Sequence, residues 1–117
     1  MKTYQELLAE TKARVREIGV KDAMALRHTT GDAVFLDVRD PNEYNLGKIP
    51  GAVTISRSHL EKNVEAQVPR DKPVVVYCAN GNRSALAAVT LRDMGYEHVS
   101  SMSVGFNGWT AIGGDID

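Results

Sequence analysis

Among the 117 residues there is one cysteine, Cys78. It ends Val74-Val75-Val76-Tyr77, four consecutive strand formers, and leads into Ala79-Asn80-Gly81-Asn82-Arg83-Ser84. A strand, a tight glycine-containing loop and a helix start in immediate succession put the thiol at the carboxyl end of a strand, where open α/β sheets bind ligands. Backbone N–H groups at a helix start lack intrahelical partners and sit at the positive end of the helix dipole, so they converge on anions. The same groups stabilise a thiolate, which makes a nucleophile at neutral pH without a histidine base. A lone cysteine at a strand end is ordinarily a small buried hydrophobe. Arg83 speaks against that reading, because the dipole disfavours a cation in the first turn of a helix. An arginine there either faces an anionic substrate or is locked against a carboxylate.

The spacing from Cys78 to Arg83 is C-x4-R. Cysteine phosphatases use C-x5-R, whose extra residue opens a cradle for a tetrahedral phosphate. The shorter ring is better matched to one added sulfur atom, a persulfide on Cys78. With no second cysteine, such a sulfur cannot be discharged within the chain and must pass to an external acceptor. Asn80 and Asn82 are turn formers first and substrate donors second. Asp37, Arg39 and Glu43 lie close together in sequence, and their expected role is a structural charge network, since buried charges are normally paired. His28, His59 and His98 are scattered and do not make a zinc site with one thiol, so neither metal nor cofactor is expected.

The elements that must hold this loop follow from patterning. Tyr4, Leu7, Leu8, Thr11, Val15 and Ile18 repeat at helical spacing behind a Thr3/Glu6 capping box, and Gly19 suits the stop. That gives an N-terminal amphipathic helix over residues 1–19, packed on a domain spanning 20–117. Lys21 to His28 is a second, shorter helix. Ala33 to Val38, Ala52 to Ile55 and His98 to Ser101 read as strands beside Val74–Tyr77. Asp40 and Pro41 start a helical turn, Arg57 to Val68 is weakly helical, and Arg83 to Met94 is a helix apolar enough to be buried. Gly105 to Trp109 is expected to turn into a final helical piece. Strands alternating with helices predict an α/β fold with a mostly parallel sheet.

Lysine and arginine total 14 against 15 acidic residues, a formal charge of −1. That balance argues against a nucleic-acid or anionic-membrane partner. No apolar run reaches a membrane span, and the charged start has no secretory character, so a cytoplasmic protein is expected.

Four ordered motifs resemble the single-domain rhodanese-like (thiosulfate sulfurtransferase-like) family. Asp37-Val38-Arg39-Asp40-Pro41-Asn42-Glu43-Tyr44 is similar to D-V-R-x-x-x-E-[FY], and Gly47-Lys48-Ile49-Pro50-Gly51-Ala52 to G-H-I-P-G-A. Tyr77 to Ser84 resembles the loop Y-C-x-x-G-x-R-S, and Met102 to Trp109 the closing L-x-G-G-[FY]-x-x-W. The resemblance implies a central five-stranded parallel sheet flanked by helices. It also implies a catalytic Cys78 that carries sulfane sulfur from a small anionic donor such as thiosulfate to cyanide, a thiol or a sulfur-accepting protein. Lys48 stands where the family has histidine, and Val104 where it has the first closing glycine, which puts donor preference in question. A binding or regulatory module without chemistry is the alternative, followed by a cysteine phosphatase or arsenate reductase. The sequence leaves the oligomeric state open.

Overall fold

Side chains alternate faces along a β-strand, and in this chain that alternation places the cysteine. The computed structural model describes all residues 1–117. Its five strands are β1 (Arg16–Ile18), β2 (Val34–Asp37), β3 (Val53–Thr54), β4 (Val74–Tyr77) and β5 (Val99–Met102). All pairings are parallel, in the order β1-β5-β4-β2-β3. The helices are α1 (Tyr4–Arg14), α2 (Val20–Thr29), α3 (Pro41–Tyr44), α4 (Leu60–Gln67), α5 (Asn82–Asp93) and α6 (Gly105–Ala111), with a 3-10 turn at Arg57–His59. The α/β class, the parallel five-stranded sheet and the extra N-terminal helix are those expected.

Strand β4 is central and all four of its residues are buried, which is why it reads as an unbroken apolar run. Val74, Val76 and Cys78 face one core with Leu60 and Val64 of α4 and Ala87, Ala88 and Leu91 of α5. Val75 and Tyr77 face the other, with Ala23 of α2 and Trp109 of α6. The phase of β4 therefore delivers Cys78 to the side of the sheet covered by α5. The alanines of α5 let its backbone lie close to the sheet, so its first turn arrives directly above the cysteine.

The sequence expectation is revised at both ends of the chain. The first helix ends at Arg14, and Arg16–Ile18 form edge strand β1, in register with Ser100–Met102. Val15 already has extended backbone, and its β-branched side chain fits a strand as well as a helix stripe. Within that stripe Leu8 and Thr11 are buried, while Tyr4 and Leu7 stay 54% and 45% exposed because α1 packs on α5 along a narrow seam. At the other end, Gly105–Ala111 is itself helical, with Trp109 buried one turn in rather than closing a turn. The Thr3/Glu6 capping box forms as expected.

Candidate active site

Cys78 is fully buried, and its sulfur is the focus of the loop that follows. The backbone N–H of Gly81 donates to Sγ at 3.2 Å and that of Ser84 at 3.3 Å. Gly81 caps α5 with φ of +93°, a left-handed conformation that glycine adopts without the steric cost of a Cβ. That turn aims the first N–H groups of α5 back at the sulfur. Asn80 helps to shape it by accepting the Asn82 N–H on Oδ1 at 3.2 Å, an Asx turn. The Asn80 side chain is thus engaged in the loop's own geometry, and Asn82 takes part through its backbone N–H.

Beneath the loop, Ser84 Oγ lies 3.5 Å from Sγ and shares a 2.8 Å hydrogen bond with Ser101 Oγ of β5. Both hydroxyls are completely buried. Ser101 was not singled out by sequence reasoning. Its signal was a serine pair inside a strand whose neighbours are apolar, a position where a buried hydroxyl needs a partner.

The closing segment grips the loop from the other side. Phe106 N donates to Cys78 O at 2.7 Å and Asn107 N to Ala79 O at 3.0 Å. This contact depends on Gly105, with φ of +55°; a Cβ there would sit 2.3 Å from Cys78 O and 2.7 Å from Ala79 C. The residue before it, Val104, has φ of +60° and is 59% exposed. A β-branched residue is strained in that region.

The charged residues separate into two pairs. Arg83 grips Glu43 with two hydrogen bonds of 2.8 Å, tying α5 to α3. Those hydrogen bonds hold the Glu43 carboxyl down at about 2, with the Asp40 N–H adding a smaller contribution, and they raise the Arg83 guanidinium in turn. Of the two roles open to Arg83, the geometry has the carboxylate lock. Asp37 and Arg39 form the other pair, buried, with Nη2 to Oδ2 at 2.7 Å and Nε to Oδ1 at 3.0 Å. Burial works against the Arg39 charge, and the bonds and charge of Asp37 outweigh it, leaving its pKa raised. Arg39 also donates to Gly47 O at 2.7 Å and stacks over the Phe106 ring at 4.2 Å. The expected single network of Asp37, Arg39 and Glu43 is therefore divided, because Arg83 reaches Glu43 first. Lys48 pairs with Asp117 at 3.3 Å.

A cavity of about 530 Å³ lies at the opposite end of the sheet, among Arg16, Pro73 and His98, and has no part in this cradle. No trio of potential metal-ligating side chains gathers anywhere in the chain. No helix is long and apolar enough to cross a membrane.

The fold and site define a parallel α/β domain with a cysteine cradle between its central strand and the following helix. A model of the rhodanese-like domain matches residues 20–112, and the chain belongs to that family. It is 38% identical over 80 residues to a thiosulfate sulfurtransferase, GlpE, of Pseudoalteromonas translucida, spanning 68% of this chain and 75% of that protein. Among solved structures, a protein of unknown function from Rhodopseudomonas palustris, described as a possible tyrosine phosphatase, is 37% identical with a TM-score of 0.90, over 100% of this chain and 96% of that one. The polysulfide-sulfur transferase homodimer of Wolinella succinogenes is 30% identical with a TM-score of 0.84, over 97% and 86%.

Proposed function

We propose that this protein is a sulfurtransferase that carries sulfane sulfur on Cys78. The observation that bears most weight is the pair of N–H donors from Gly81 and Ser84 at 3.2 and 3.3 Å from Sγ. N–H donors aimed at a sulfur favour negative charge that develops on it during sulfur transfer. In the first half-reaction the Cys78 thiolate attacks the outer sulfur of a donor. An Sγ–S bond forms, the donor's S–S bond breaks, and its electron pair leaves on sulfite or a thiolate. In the second, cyanide, a thiol or a partner protein's thiolate attacks the terminal sulfur and returns Cys78 to its thiolate. Ser84, backed by Ser101, supports the charged sulfur throughout. Ala79, Asn80 and Asn82 shape the ring, while Asp37, Arg39, Glu43 and Arg83 position the segments around it. No metal or cofactor enters these steps.

Phosphate-ester hydrolysis is disfavoured by the same features. The ring is one residue short of a phosphate cradle, and its arginine is occupied by Glu43. A purely binding module would have no use for N–H groups focused on a thiol. Intact mass spectrometry tests the proposal. Incubation with thiosulfate or an organic persulfide is expected to add one sulfur, about 32 mass units, which cyanide removes and Cys78→Ser never acquires. An unshifted mass with every donor would leave the binding module as the better reading.

A further inference from the structure

The cavity at the amino ends of β1, β5 and β4 holds about 530 Å³, within the range of sites for small organic ligands. Its floor is laid by the sheet register. Arg16, Ser100 and Val75 stand side by side on the three strands, and paired residues of neighbouring parallel strands share a face. That face is the one covered by α2. Val75 belongs to the core on that side, and Ile18, two residues after Arg16, packs against it. Asp22 and Leu26, one turn apart on α2, line the cavity from above.

Ser100 is 8% exposed, and its hydroxyl makes no hydrogen bond within the chain. Every completely enclosed polar side-chain atom has a partner, so this hydroxyl keeps an opening, and the cavity that Ser100 lines supplies it. The next residue shows the contrast: Ser101 turns to the opposite face and is bonded to Ser84. A nearly buried hydroxyl left without a partner is costly unless something in the cavity binds it.

Arg16, beside Ser100 on the edge strand, forms no ion pair, and neither do Asp22 and Glu97, which line the same cavity. Charges of both signs therefore face one space without neutralising each other. Arg92, at the rim, is held by the Arg14 carbonyl oxygen. A ligand of one sign would meet attraction from part of this wall and repulsion from the rest. A ligand that carries both signs on an apolar skeleton matches all of it.

We propose that this cavity binds a free α-amino acid with an apolar side chain. Its carboxylate takes the Arg16 guanidinium and the Ser100 hydroxyl, adjacent donors with an ionised acceptor between them. Its ammonium meets the carboxylates of Asp22 and Glu97, and its side chain lies against Ile18, Leu26 and Val75. None of these contacts involves Cys78.

Chemical-shift titration of the isotope-labelled protein at pH 7 and fixed ionic strength, with L-leucine as the probe, reads both affinity and place. Saturable shifts of the Ile18, Leu26 and Ser100 amides are expected with a Kd of about 1 mM, the strength that about nine non-hydrogen atoms reach at a half-open site. Isocaproate lacks the ammonium, isoamylamine the carboxylate and glycine the apolar body, and each should bind at least about fivefold more weakly. Ser100→Ala and Arg16→Gln should each weaken leucine about five- to tenfold, and the double change Asp22→Asn with Glu97→Gln by about as much. The comparison of probes uses the parent protein, so it stands even where a substitution disturbs the fold. Leucine shifts that do not saturate by about 20 mM, or that map to the Cys78 loop, overturn the proposal. So does isocaproate or isoamylamine binding as tightly as leucine, or parent affinity in Ser100→Ala or in the double variant.

Discussion

Gly105→Ala should damage the cradle more than any change of its size elsewhere in the chain. The added methyl would meet Cys78 O at 2.3 Å and the Ala79 carbonyl carbon and oxygen at 2.7 Å. These are backbone atoms at the end of the central strand and cannot swing aside as a side-chain tip does. The residue would also be left in the left-handed region, at φ of +55°, a cost of about 1–2 kcal/mol for a non-glycine. Relieving the clash means withdrawing α6, which sacrifices the hydrogen bonds from Phe106 and Asn107 to the loop, at about 1 kcal/mol each. Together these give a destabilisation of about 3–4 kcal/mol. For a domain of 117 residues that lowers Tm by roughly 10–20 °C. Gly113→Ala is the control, since Gly113 has φ of +78° but nothing within 4 Å of the added methyl. It should lose only the conformational part, about 1 kcal/mol. Urea denaturation of both variants with a sulfur-loading assay gives the comparison. If Gly105→Ala is no less stable than Gly113→Ala and loads sulfur normally, the closing segment does not hold the loop in the way described.

Glu43→Gln should sensitise the fold differently to acid. The Glu43 carboxyl is held at about 2, below its ordinary 4.5, so its contribution is fully present above pH 4.5 and is lost as pH falls toward 2. The displacement is worth up to about 3 kcal/mol. Side-chain exposures of 28% and 36% for Glu43 and Arg83 reduce it to about 1–2 kcal/mol by screening. Denaturation at pH 7 and pH 2.5 should show the variant weaker at pH 7 and close to the parent at pH 2.5; an equal deficit at both would assign the loss to packing. Val104→Gly should gain about 0.5–1 kcal/mol, because relief of left-handed strain exceeds the added freedom of the unfolded chain, and a lower Tm would refute the strain. Ser101→Ala should slow sulfur loading about three- to tenfold with little change in KM, since removing one buried hydrogen bond costs about 1 kcal/mol. A rate equal to the parent's would detach Ser101 from the chemistry.

Much of this arrangement was legible in the residues. The four strand formers before Cys78, Gly81 and the alanine-rich stretch after Arg83 specify a strand, a left-handed turn and a close-packed helix by local rules alone. The capping signatures at Thr3 and Pro41 located two helix starts for the same reason. Strand β1 was not legible, because three residues after a β-branched Val15 carry no periodicity of their own. Their strand identity comes from pairing with β5. The division of the charges was equally hidden. Glu43 lies six residues from Asp37 in sequence but bonds to Arg83, forty residues away, and that pairing exists only once α3 and α5 are brought together. The Ser100-Ser101 pair in an apolar strand signals a buried hydroxyl in need of a partner, but the partner, Ser84, is seventeen residues away and is found only in the fold.

The central claim is that Cys78 stores one transferable sulfur and gives it up intact. The direct measurement is a single turnover. The protein is loaded with a sulfane donor, desalted until no donor is left, and mixed with cyanide while thiocyanate is counted against protein. One thiocyanate per chain, in a single burst that restores the unmodified mass and is absent in Cys78→Ser, is the expected result. Thiocyanate formed only while donor is still in solution, or formed equally by Cys78→Ser, would contradict the claim.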